Sequence, residues 1–149
     1  MEKLVFDSGI KEYQINGKGV LRFNPGDPNV YARFMDSIEK IQEVEKEMVA
    51  KNDSINRDSA IAGVEVLAIM RETDQKMKAI LNEIFGHEND FDKILEGVNL
   101  MGVASNGERV ITNLIAALQP VMEAGAKTCA GTQVNEAKLN REQRRALNR

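Results

Sequence analysis

A chain of 149 residues with 42% hydrophobic and 29% charged side chains fits one globular domain and excludes wholesale disorder. Its single cysteine, Cys129, excludes an internal disulfide, and no stretch is apolar over the roughly 18 residues that a membrane span needs. The formal charge of −3 is uneven: residues 138–149 carry five basic side chains against one acidic, or +4, which leaves −7 on the rest and disfavours nucleic acid as a partner.

The opening Leu4-Val5-Phe6 run, cut off by Asp7, is too brief for the apolar core of a secretory signal, so the expected compartment is a reducing cytoplasm. Over residues 10–23, Tyr13 and Ile15 alternate with polar neighbours, Asn16-Gly17 supplies a turn, and Leu21 and Phe23 resume the alternation, which predicts a β-hairpin. Such a hairpin is marginal alone, so its apolar face must lie on a helix.

Asp27 and Pro28 suit the cap and first position of a helix. Val30, Phe34, Ile38, Ile41 and Met48 then recur at helical spacing to an end near Lys51, with Glu43–Lys46 and Glu47–Lys51 placed to pair along its outer face. Asp58 or Ser59 is positioned to cap a second helix that runs to Phe85 and stops at Gly86. Its first part, residues 60–70, is apolar nearly all round except for Glu65, which marks either a bundle centre or a face covered by another chain. Asn89 or Asp90 suits the cap of a short helix carrying Phe91, Ile94 and Leu95, and residues 98–106 read as a connection. Residues 107–119 form the clearest amphipathic helix, with a kink or restart at Pro120 and a stop at Gly125. Residues 126–135 read as a linker, and Asn140 as the cap of a last short helix.

These elements predict a mainly α (α+β) protein. A hairpin and helical bundle occupy residues 1–126, and a linker with a basic C-terminal tail occupies 127–149. All seven aromatic side chains lie at or before Phe91, so the last third must pack through aliphatics and Met. Met35, Met48, Met70, Met77 and Met122 fall at apolar helix positions and read first as core filling.

Chemistry is sparse. The only imidazole, His87, stands beside a helix-stop glycine and reads as a solvated or capping side chain. Cys129 lacks a CxxC partner, and Glu88, Asp90, Asp92 and Glu96 lack the alternation of a calcium loop. No cofactor or metal is expected, and no acid and base pair up for catalysis. Binding is the remaining class. The candidate contact residues are Ile61, Val64, Leu67 and Met70 in the apolar run, and Arg141, Arg144 and Arg145, which with Arg149 fall on one helical face.

Several segments carry a family resemblance. YQINGKGVLRFNPGDPNVYARF resembles the hairpin and first helix of small phage-encoded tail proteins, and LNEIFGHENDFDKILEG is similar to their Ile-Phe-Gly corner. The helix ending IAALQPVME resembles the late-proline helix of tail assembly chaperones from phages and prophages of Gram-positive hosts, and LNREQRRALNR the NRxQRR ending of tail-region proteins. The resemblance implies a non-catalytic, oligomeric protein of the host cytoplasm that coats the long helical tape measure protein, keeps it soluble and gives way to the tail tube protein. A structural tail or neck component is the alternative. A DNA-binding regulator fits poorly, because no helix-turn-helix pattern precedes the basic segment.

Overall fold

The computed structural model describes residues 1–147. Among them run β1 (Lys11–Ile15), β2 (Gly19–Phe23), α1 (Pro28–Asp53), α2 (Ala62–Phe85), α3 (Phe91–Ile94) and α4 (Val110–Leu147), a mainly α chain with a small hairpin.

The strands pair antiparallel with Tyr13 opposite Leu21, joined by a three-residue turn in which Asn16 (φ 48°) and Gly17 (φ 84°) take the positive φ that tight turns demand. Alternation turns Tyr13, Ile15, Leu21 and Phe23 inward. There Phe23 stacks on Tyr13 (ring centroids 5.1 Å apart) and meets Phe85 edge-on at 4.8 Å, while Phe85 reaches Phe91 at 5.6 Å. The hairpin is thus anchored on the C-terminal end of α2 and the start of α3.

Asp27 caps α1 as its sequence position predicts, its carboxylate accepting the Asn29 amide proton at 2.9 Å. The helix lies antiparallel to α2: Lys51 pairs with Glu72 (3.5 Å), Glu47 with Lys76 (3.6 Å), and the Arg33 Nε donates to the Ile84 carbonyl (3.0 Å). Glu47 and Lys51, expected to pair along α1, instead bridge the two helices. Exposed pairs of this kind contribute at most about 1 kcal/mol. Burial of Phe34, Ile41 and Met48 in one cluster with Met77, Leu81 and Ile84 stabilises the helix pair far more. Met122 is buried as well, but Met35 is exposed and Met70 only half-buried.

Three boundaries differ from the sequence reading. Helix α2 begins at Ala62, not 58, because Asn56 Oδ1 accepts the Asp58 amide and the Asn56 carbonyl accepts that of Ser59, tying both expected caps into a turn. The connection before α4 is not merely a linker: Leu100 and Met101 are fully buried plugs. The carbonyls of Gly102 and Leu100 accept the amides of Val110 and Ile111, which would otherwise be free donors at the start of α4.

The largest difference is α4 itself. It neither restarts at Pro120 nor stops at Gly125, and the expected linker at 126–135 is helical, continuous to Leu147. Pro120 is exposed, and the buried stripe Ile111, Leu114, Leu118 and Met122 passes across it without a break. Gly125 is buried for a packing reason: a Cβ there would overlap the carbonyl of Pro25, so glycine lets α4 cross the turn before α1. Thr128 and Thr132 satisfy their hydroxyls on the carbonyls one turn back, at 3.0 Å each. Arg149 lies outside the described residues.

Candidate partner-binding surface

The ion pairs fix the register of α1 against α2. Lys51 opposite Glu72 places Asp53, the last residue of α1, opposite Met70. Residues 62–69 therefore overhang the end of α1 by about 12 Å. The sequence is apolar there as if for a core, yet Ile61, Val64 and Leu67 are 56%, 68% and 68% exposed, and Val64 continues the outward stripe of Arg71 and Gln75, which stay exposed even beside α1. Met70, at the edge of the overlap, is half-buried, as is Glu65.

Val64, Leu67, Ala68, Arg71, Glu72 and Gln75 line a shallow groove of about 380 Å³. Arg71 and Gln75 also line a neighbouring polar groove of about 690 Å³, so the two form one trough along α2. An apolar end leading into a charged end is the pattern that an amphipathic partner helix would meet.

The charged end centres on Lys78, whose side chain is almost wholly buried between Asp74 Oδ2 (3.0 Å) and Asp92 Oδ1 (2.6 Å). The other oxygen of Asp74 accepts the Leu100 amide at 2.8 Å, which ties the loop before α4 to α2. Burial is the largest single influence on the Lys78 ammonium and pulls its pKa down. The hydrogen bonds and charges of Asp92 and Asp74 together outweigh it and hold Lys78 above the usual lysine value. The Lys78 hydrogen bond, then its charge, holds Asp92 below the usual carboxylate range.

The signs define a pH window. A carboxyl lowered by folding stabilises above its unfolded value, roughly 4, and loses that contribution as pH falls through the folded one. An ammonium raised by folding stabilises below roughly 10.4 and loses its contribution as pH rises through its folded value. The contribution of this cluster should be flat from about pH 5 to 9 and decline on either side. Asp74→Ala should cost about 1.5 kcal/mol at neutral pH, since Asp92 still holds the ammonium while the Leu100 amide is left unpaired. Urea unfolding measures it, and an unchanged midpoint would show the cluster to be energetically idle.

Arg141, Arg144 and Arg145 are exposed on α4 but lie far from the trough. Ile111 and Ile115 of α4 face Ile38 and Ile41, and Gly125 abuts Pro25, so α4 runs toward the start of α1 and away from the α2 overhang. Arg141 lies a further 24 Å or so along the helix past Gly125. The fold therefore keeps the two predicted contact sets at opposite ends. Leu139 and Leu147 are exposed on the same helix at 56% and 84%.

No protein-family profile, curated protein or solved structure matches this chain.

His87 is exposed at the corner after α2. Asp90 caps α3 by accepting the Asp92 and Lys93 amides, Glu96 pairs with Lys18 at 3.5 Å, and Cys129 is half-buried. Among the described residues no group of three His, Cys, Asp or Glu is placed to hold a metal ion, and no helix is long and apolar enough to cross a membrane.

Sequence reasoning gave one residue a different role and passed over another. Buried Asn89 does not cap α3. Its Oδ1 accepts the Arg22 amide (2.9 Å), while its Nδ2 donates to the carbonyls of Arg22 and Phe85 (2.8 Å each), fastening β2 to the corner. Lys78 was passed over although Asp74, one turn earlier in α2, is a local signal; its second partner, Asp92, comes from α3 and carries none.

Proposed function

We propose that this chain is a non-catalytic tail assembly chaperone of a phage or prophage. It acts in the host cytoplasm by binding the tape measure protein and keeping it soluble until the tail tube protein displaces it. The supporting observation is the overhang of α2, where Ile61, Val64 and Leu67 stay exposed beside a trough that turns from apolar to charged. A long helical client with repeating apolar faces is the kind of chain such a trough suits, and a shallow, open surface can release it when the tube protein competes. Co-expression with a tape measure protein encoded in the same operon, followed by pull-down, should retain both chains. Clean separation at low salt would reject the reading.

The exposed run Leu4-Val5-Phe6 favours a second reading, a structural subunit of a tail or neck, since an uncovered apolar arm also suits a protein that stays assembled. Mass spectrometry of purified particles separates the two: a chaperone is absent from them, a subunit present in many copies.

A further inference from the structure

The two edges of the hairpin are unequal. The edge of β2 is closed by the body: Asn89 takes both the amide and the carbonyl of Arg22, and Gly19 lies so close to the Ile94 carbonyl that a Cβ would overlap it. Since the Arg22 backbone points away from β1, the alternation of an antiparallel ladder makes Lys11, Tyr13 and Ile15 the residues bonded to β2. Glu12 and Gln14 then direct their amides and carbonyls outward. Among the described residues nothing is bonded to those four groups. An uncovered edge of this kind is a template for another strand.

The same chain carries a segment that lacks a partner. Leu4, Val5 and Phe6 are 89%, 90% and 76% exposed, in a run with strand-forming composition. The Asn24 Nδ2 donates to the Ser8 carbonyl (3.2 Å) and the Gly9 amide to Asp7 Oδ1 (2.8 Å). The first bond ties Ser8 to the residue that follows β2, and the second is a local turn within the arm.

We infer that residues 3–6 of one copy of this chain add as a third strand to β1 of a second copy, reciprocally. Side-chain parity supports the match. Residues hydrogen-bonded to Glu12 and Gln14 must point to the outer face with them, so a register that sends Lys3 and Val5 outward turns Leu4 and Phe6 inward, beside half-buried Tyr13 and Ile15. Lys3 then shares a face with Glu12, an opposite charge. This interface is separate from the α2 trough and stands whether or not the chaperone reading holds.

The test uses the full chain and two variants. Leu4→Asp with Phe6→Asp alters only exposed arm residues, and Gln14→Pro removes an amide that the chain itself leaves unbonded, at an edge position where proline is tolerated. In analytical ultracentrifugation the wild type should sediment at twice the chain mass or a higher multiple. Each variant alone should fall to the monomer mass with its circular dichroism retained. Mixing the two should restore association, because the intact arm of one still fits the intact edge of the other. A wild-type monomer at all concentrations overturns the proposal, as does association that survives both sets of substitutions. A monomer whose Glu12 and Gln14 amides resist hydrogen exchange overturns it too, since the arm would then fold back on its own strand.

Discussion

Val64→Asp combined with Leu67→Asp should weaken capture of the tape measure protein at least about 100-fold and leave the urea midpoint of the free protein unchanged. Both side chains are about two-thirds exposed in the free chain, so covering them would stabilise the complex by about 1–2 kcal/mol each, and a buried carboxylate would add a desolvation cost. Together these exceed the roughly 2.8 kcal/mol that a hundredfold change requires. The free protein has little to lose, since neither side chain is buried and Val64 lies in the first turn of α2, where a carboxylate favours the helix dipole. Affinity measured by calorimetry beside urea unfolding separates the two effects. A double variant that binds normally would remove the overhang from the contact surface; one that unfolds would show that Val64 and Leu67 pack within the monomer.

The hairpin, the Asp27 cap, the stop at Gly86 and the Asp90-capped turn were legible because each rests on contacts within a few residues. Alternation, capping oxygens and positive φ are written locally. What surrounds residues 60–70 was not, because an all-round apolar run does not reveal which of its faces the fold covers: Ile69 and Met70 turn toward the body, and Val64 and Leu67 continue the outward stripe of Arg71 and Gln75. The α2 trough was therefore readable as surplus apolar surface but not by its covered face, and its charged half was only partly visible: Asp74 and Lys78 are one turn apart on α2, but Asp92 joins them only when α3 folds back. Asn89 misled for a related reason. A side chain suited to cap a helix is also suited to clamp a strand edge, and only the tertiary position of Arg22 decides between them.

Gly125→Ala should destabilise the protein by about 2 kcal/mol, while the same substitution six residues later, Gly131→Ala, should raise helicity without loss of stability. From their sequence neighbours both glycines read as interruptions, one a stop and the other part of a linker. In the fold they differ completely. A Cβ at Gly125 would overlap the Pro25 carbonyl, whereas one at Gly131 has no neighbour within 4 Å. Overpacking against backbone costs about 3 kcal/mol at its upper end, and the gain in helix propensity returns about 1. The strain is not easily relieved by sliding α4. Its first turn is held by the Gly102 and Leu100 carbonyls, and Leu114, Leu118 and Met122 are buried along its length. Gly131 meets no such constraint, so alanine there keeps only the propensity gain of about 1 kcal/mol, visible as stronger helical circular dichroism. Opposite signs at the two sites require one continuous helix pinned at the Pro25 turn. Two neutral substitutions would instead restore the break at Gly125 and the flexible tail that the local sequence suggests.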